Sequence, residues 1–252
     1  MCSEMTRSMN SVFLAWQDPK ERNWHTVGKL SQDQEPFIFD YTLGARNESF
    51  IPFSGMEQLD VTYKSDKLFP LFANRLLNPR RPAYKMLLSW LGLSEEELSP
   101  LQVLARTGSV KSTDNPQIFP ELDLTGKSAI ELDFFVHGVR YVSESARQRI
   151  KALKEGDKLL LMNDFQNETA PLALAIRTTG TPEIIGFCPR FLAHGLADLA
   201  ADRHSELSLT VARVNQEAPL YYQLMCELKA CSSQTRNLFN SQEFQTISGS
   251  IH

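Results

Sequence analysis

Four stretches decide how this chain is read: ELDFFVHGVRY (131–141), LKEGDKLLLMNDFQNETAPLALAIRT (153–178), EIIGFCPRFLAHGLADLA (183–200) and LTVARVNQEAPLYYQLMCELKA (209–230). Within and around them, runs at 132–142, 158–163, 172–178, 183–187, 207–214 and 221–230 are rich in β-branched and aromatic residues and are separated by turn formers. Two further segments read as helices. One covers 145–153 and ends before Gly156; the other covers 189–200, with Pro189 in the first turn, where a missing N–H is no loss. Strands at this spacing with one or two short helices predict a small β-barrel over 131–231.

Working toward the N-terminus, SVFLAW (11–16), HTVGKL (25–30) and PFIFDYT (36–42) have the same strand character. Helical spacing then takes over. Leu68, Leu71, Phe72 and Leu76 predict a helix over 66–77, and PAYKMLLSWLG (82–92) opens on proline and stops at glycine. Ser94 with Glu97 has the form of a capping box, Ser99-Pro100 opens a last helix, and Gly108 ends it. A short strand near Ile118-Phe119 completes a first domain over 10–121, with a linker at 122–130. The tail, 232–252, is rich in Ser, Gln and Asn and is expected to be loosely ordered. The fold class is therefore α+β: a small sheet with helices, followed by a barrel.

Composition narrows the function classes. The 252 residues carry 26 Lys and Arg against 30 Asp and Glu, a net charge of −4. That balance excludes a protein coated in DNA-binding charge, so any nucleic-acid contact must come from a local patch or from stacking. Cys2, Cys188, Cys226 and Cys231 form no C-x-x-C pair and have no histidine at zinc-ligand spacing, so reduced thiols and no metal are expected. No run of eighteen apolar residues predicts a membrane span, and MCSEMTRSMN lacks a signal-peptide core. The expectation is a cytoplasmic protein without a cofactor.

Enzyme motifs fail one at a time. Gly126-Lys127-Ser128 ends like a phosphate-binding loop, but the glycine required five positions earlier is Glu121. Asp164-Phe165 is followed by Gln166 instead of glycine, and no kinase catalytic loop exists. His25, His137, His194, His204 and His252 are scattered, and His137 reads as a buried, hydrogen-bonded ring rather than a base. A non-enzymatic protein is expected.

Two resemblances organise these pieces. Gly138-Val139-Arg140-Tyr141, LKEGDKLLLMND (153–164), Asn167, PLALAIRT (171–178) and IIGFCPRFLA (184–193) resemble the HIRAN domain, an OB-like barrel. Residues 10–121 resemble the N-terminal subdomain of HipA-type kinases, through Trp16, VGKLS (27–31), FIFDYTLGA (37–45), IPFS (51–54), KLFPLFANRLLNP (67–79) and PLQVLARTGS (100–109). The HIRAN resemblance implies capture of single-stranded DNA by aromatic stacking, with an aspartate reading a free 3′-hydroxyl. It puts Tyr141 on the first stacking tyrosine and Asn167 in the family's asparagine-rich loop. The loop's own tyrosine and aspartate fall on Thr169 and Ala170, so the end reader is missing here and weak, general single-strand binding is what remains.

The candidate nucleic-acid contacts are accordingly Arg140, Tyr141, Asn167, Lys154, Lys158 and Arg190. Arg140 and Tyr141, read as strand neighbours, are expected to face opposite ways, as are Tyr221 and Tyr222. Pro189-Arg190 reads either as a phosphate contact at a helix start or as a surface arginine. Arg75, Arg80, Arg81 and Lys85 form a secondary basic cluster, read either as a phosphate grip or as a solvated turn between helices. The HipA resemblance implies a different role, regulatory contact with a HipA-type toxin kinase. A DNA-processing enzyme is the other candidate protein partner.

Overall fold

The computed structural model describes residues 10–32, 35–95, 98–108, 116–121, 129–167, 173–193, 196, 206–231 and 242–248. The chain divides into two compact units, Met1–Leu122 with Ser241–His252, and Asp123–Asn240. Helix and sheet are mixed, and none of the described helices is long and apolar enough to cross a membrane.

The first unit is built on five antiparallel strands in the order β4-β3-β2-β1-β5: β1 (Ser11–Gln17), β2 (Trp24–Gln32), β3 (Phe37–Tyr41), β4 (Tyr63–Ser65) and β5 (Gln117–Pro120). On one face Val12, Leu14, Val27, Leu30, Phe39 and Tyr41 pack with Phe72, Leu101 and Leu104. Phe13 points to the other face, opposite Phe119 in register, and the two rings lie 5.6 Å apart. Both faces of β1 are therefore covered, which is why VFLA reads as a continuous apolar run rather than an alternation.

Three helices follow β4. α1 (Pro70–Ala73) is a single turn, where the spacing predicted a helix over 66–77. Pro70 can only open a helix, and Asn74 already closes it, with its N–H turned back to Phe72 and Pro70. α2 (Ala83–Leu91) ends at Gly92, φ 67°, and α3 (Pro100–Thr107) ends at Gly108, φ 61°, both as expected of glycine stops. A capping box is formed at Ser99–Gln102. Ser99 Oγ accepts from Leu101 N at 3.1 Å and Gln102 Oε1 accepts from Ser99 N at 3.0 Å. Glu97 lies outside the described residues.

The tail corrects the expectation of loose order where it is described. Ile247 N donates to Tyr41 O at 2.9 Å, Leu43 N donates to Gln245 O at 2.9 Å, and Thr42 and Thr246 form a β-bridge. Ile247 is only 3% exposed, and Phe244 sets its ring edge-on to Phe13 at 5.2 Å. Two apolar anchors in a polar segment are enough to dock it.

The second unit carries six antiparallel strands in the order β6-β11-β10-β7-β8-β9, namely β6 (Ala129–Phe135), β7 (Lys158–Asn163), β8 (Leu174–Thr178), β9 (Ile184–Phe187), β10 (Glu206–Val214) and β11 (Leu224–Cys231). α4 (Glu144–Ala152) is capped by Ser143, whose Oγ accepts from Ala146 N at 3.1 Å. Residues 190–193 are also helical. The two edges of the sheet meet at one point: His137 N donates to Phe187 O at 2.9 Å and Phe187 N to His137 O at 2.8 Å. Leu132, Phe134, Ile150, Leu159, Ile176, Ile185, Leu209 and Leu228 are buried in this unit.

Glycine makes the seam possible. A Cβ on Gly186 would meet Val136 Cγ1 at 2.4 Å and His137 O at 2.6 Å, and Gly186 has φ 148°. Gly138 has φ 73°, and its Cβ would meet the Phe187 ring at 2.9 Å. The chain turns at this point, so the strand expected over 132–142 ends at Phe135, and Val139–Tyr141 form a 3₁₀ turn.

Candidate nucleic-acid interface

The turn at the seam decides how Arg140 and Tyr141 are displayed. On a strand they would face opposite ways, but the 3₁₀ turn brings them together, and the expectation of opposite facing fails. Arg140 Cζ lies 4.5 Å from the centre of the Tyr141 ring, and its Nη2 donates to the Tyr141 hydroxyl. Tyr141 is 72% exposed, so much of its ring meets solvent while the guanidinium lies beside it. Arg147, in α4, donates from Nη1 to Arg140 O at 3.4 Å and pairs with Glu144 at 3.0 Å. The turn thus carries an aromatic surface beside fixed positive charge, the pairing that suits a base stacked next to its phosphate.

Behind the turn, His137 is desolvated. Burial first, and the Arg190 guanidinium second, lower its pKa from the usual range to about 4, so the ring is neutral at physiological pH. Its Nε2 lies 3.2 Å from the Tyr221 hydroxyl, as expected of a hydrogen-bonded ring rather than a base. Tyr221 and Tyr222 belong to a 3₁₀ turn, Leu220–Tyr222, and not to a strand. Pro219 opens that turn, and both rings pack against Phe135, at 6.4 and 5.3 Å. They support the seam and are not an outward stacking ring.

Arg190 follows β9 directly, past Cys188, whose N–H bonds Leu174 O at 2.8 Å. Its charge is felt at the buried His137 ring. Asn167 sits in the β7–β8 connection. Its Nδ2 donates to Asp164 Oδ2 at 3.0 Å, and Asp164 N bonds Ala173 O at 2.9 Å, so the side chain ties the turn. Glu168, Thr169 and Ala170, on which the loss of end recognition was read, lie outside the described residues.

Lys154 and Lys158 flank the β7 start. Both are exposed at the start of β7, one strand length from its Asn163 end, with the Lys154 N–H bonded to Asp157 at 2.8 Å. Lys158 pairs in register with Thr210, and Thr210 with Glu227, so it extends toward an acidic ladder. That ladder covers the outer face of β6, β11 and β10. Glu131 stands opposite Lys229 and Asp133 opposite Glu227, while Lys229 bonds Glu131 at 3.1 Å and Glu227 at 3.0 Å. These contacts, Glu227 foremost, raise the Lys229 pKa. Carboxylates outnumber cations there, so that face repels phosphate.

The secondary cluster belongs to the other unit. Arg80 and Arg81 are exposed in the turn between α1 and α2, with Arg80 N bonded to Asn78 Oδ1 at 2.9 Å. Lys85 lies 4.0 Å from Glu95, and Arg75 is partly buried.

One exposed aromatic of this unit was not singled out as a contact. Phe165, 85% exposed, is the most exposed of the large apolar side chains described. An aromatic between Asp164 and Gln166-Asn167, in a connection between two strands, is the signal that marks it.

These features sit in a recognisable module. Residues 130–230 match the HIRAN domain family. The HIRAN match covers the whole described barrel, from β6 to β11, and leaves the first unit outside it. Among solved structures, the chain is similar to a protein from Lactobacillus plantarum (23% identity, 41% of this chain and 96% of that one, TM-score 0.34). It is also similar to the HIRAN domain of human HLTF in a crystal structure (13% identity, 47% of this chain and 96% of that one, TM-score 0.35). The NMR structure of the HLTF HIRAN domain in its DNA-bound conformation gives 12% identity, 47% and 90% coverage, and a TM-score of 0.30. No curated protein matches the chain.

Proposed function

We propose that this protein binds single-stranded DNA through its HIRAN barrel, without catalysing a reaction on it. The observation that carries this reading is the 3₁₀ turn at the seam, which holds Tyr141 at 72% exposure beside the Arg140 guanidinium. An exposed aromatic that adds nothing to a core is suited to stacking on a base, and stacking accepts any sequence at about 1–3 kcal/mol per base. The acidic β6-β11-β10 face favours contact from the opposite side and disfavours duplex wrapping around the barrel. With Thr169 and Ala170 in place of the family's tyrosine and aspartate, a free 3′ end is bound no better than an interior stretch.

The test is a fluorescence-anisotropy panel of single-stranded, duplex and 3′-blocked DNA at two salt concentrations. The expected result is preference for single strands, equal affinity for free and blocked ends, and weakening at higher salt. Absence of binding to every single strand at low salt would end this reading. A second reading, a regulatory partner of a HipA-type kinase, is supported by the resemblance of residues 10–121 together with the exposed side chains of Ile51 and Met86 in the first unit. Co-purification with such a kinase is its test, and failure to co-purify counts against it.

A further inference from the structure

Residues 242–248 lie on the first unit as a bound peptide lies on a receptor. The sheet they join is complete without them. Each of β4, β3, β2, β1 and β5 is hydrogen-bonded to its neighbour, and the segment adds one bridge, Thr42 to Thr246, just past the end of β3.

The place of that bridge is set by the sheet. β4 pairs with Phe37–Phe39 and goes no further along β3. On the other side, Thr42 N donates to Val27 O at 3.2 Å, so Thr42 is held by the β2 chain. Backbone groups of neighbouring residues point to opposite sides of an extended chain, which leaves Tyr41 O and Leu43 N on the edge that β4 does not reach. The tail takes both: Ile247 N donates to Tyr41 O and Leu43 N to Gln245 O, each at 2.9 Å. Ser248 Oγ adds a hydrogen bond to Asp40 Oδ1 at 2.6 Å.

Two side chains supply the apolar contact. Ile247 joins the core that holds Phe39, Tyr41 and Phe72. Phe244, three residues earlier, sets its ring edge-on to Phe13 at 5.2 Å and to Phe119 at 6.4 Å. Main-chain bonds to a sheet edge, with specificity from a few side chains in pockets, are how domains recognise extended peptides. Here the peptide is the chain's own, tied to the end of β11 by residues 232–241.

We propose that this edge is a docking site for an extended segment of a partner protein, and that residues 242–248 occupy it in cis until such a segment displaces them. The partner segment carries an aromatic residue and, three positions on, a branched aliphatic one, as Phe244 and Ile247 do. Neither this site nor the nucleic-acid reading depends on the other. A segment on a short tether competes at an effective concentration on the order of millimolar. A free segment with an intrinsic Kd of about 10 μM therefore binds the occupied edge about a hundredfold more weakly than the emptied one.

The test uses the full chain and a fluorescein-labelled peptide of residues 241–250, SQEFQTISGS. The Phe244→Ser/Ile247→Ser double variant is expected to bind it about a hundredfold more tightly than the parent does. The same peptide with both residues changed to serine is expected to bind neither protein. No binding by a double variant that still melts cooperatively would overturn the docking site. Should the double variant lose its cooperative melt, hydrogen exchange of the parent decides. The Leu43 and Ile247 amides, which report tail release, are expected to exchange at least about tenfold faster than the β1–β2 ladder. Equal protection would mean that the tail leaves only when the unit unfolds, and would overturn the proposal. A parent that sediments as a dimer, made monomeric by the double substitution, would assign the edge to the tail of a second copy and overturn the partner.

Discussion

Tyr41 and Tyr141 are the same side chain put to opposite uses. Tyr41, in the first unit, is 0% exposed. Its hydroxyl donates to Met56 O at 2.7 Å and accepts from Phe53 N at 2.8 Å, and burial raises its pKa to about 12. Phe39, Phe50, Phe53 and Tyr63 close around it. Tyr141, in the second unit, has a guanidinium for company and solvent over most of its surface. A buried tyrosine with a satisfied hydroxyl belongs to the energetics of folding. An exposed one adds almost nothing there, which leaves it available to a ligand. The first unit uses its aromatics to hold itself together; the second keeps two of them outside.

That contrast is open to direct attack. The largest effect is expected at Tyr41. Tyr41→Ala empties a packed aromatic site and strands Met56 O and Phe53 N, at a cost of about 3–5 kcal/mol in a denaturant melt. A loss below about 1 kcal/mol would mean that the cluster is not the core of the first unit.

Ile247→Ala comes next. Its side chain is buried in the first unit although it lies beyond the second in sequence, and truncation is expected to cost about 2–4 kcal/mol. If the stability of the full chain is unaffected, the tail does not contribute to the first unit's core.

The acid limb of stability gives a smaller signal, from the seam of the barrel. The folded His137 ring resists protonation down to pH about 4, whereas an unfolded histidine takes up a proton below about 6.5. Unfolding thus binds a proton in that window, and the stability associated with this ring is lost as pH falls from 6.5 toward 4. Melting temperatures of the parent and His137→Gln across that range should differ in slope, the variant being the flatter. Equal slopes would place the histidine in water.

How far the sequence could be read follows the same division. Strands with a continuous or alternating apolar pattern, such as β1, β3 and β8, were legible because burial repeats along them. So were the glycine stops after α2 and α3. The 3₁₀ turn at Val139–Tyr141 was not, because Val-Arg-Tyr has strand propensity and the turn is imposed by a contact made across the barrel, Gly138 against Phe187. The pairing of Arg140 with Tyr141 depends on that distant contact. The Leu220–Tyr222 turn escaped for a similar reason, its aromatics being drawn to Phe135. The tail was hidden by its composition, since Phe244 and Ile247 are too few to give a periodic signal. Phe165 was passed over because a lone ring in a polar connection has no neighbour in sequence to give it a face.

The site was legible as a set of residue types rather than as a place. Arg140 and Tyr141 are held together by the 3₁₀ turn and Asn167 ties the β7–β8 connection, while Lys154 and Lys158 stand exposed where β7 begins, Lys158 in register with the acidic ladder.

The most direct test of the account is Tyr141→Ala, read twice in one preparation. Stability is expected to stay within about 0.5 kcal/mol of the parent, because the side chain is exposed. Affinity for single-stranded DNA at low salt is expected to fall by about tenfold, because one stacking surface is gone. Unchanged affinity, with the parent binding the same strand, would contradict the claim that the barrel binds single strands through this ring.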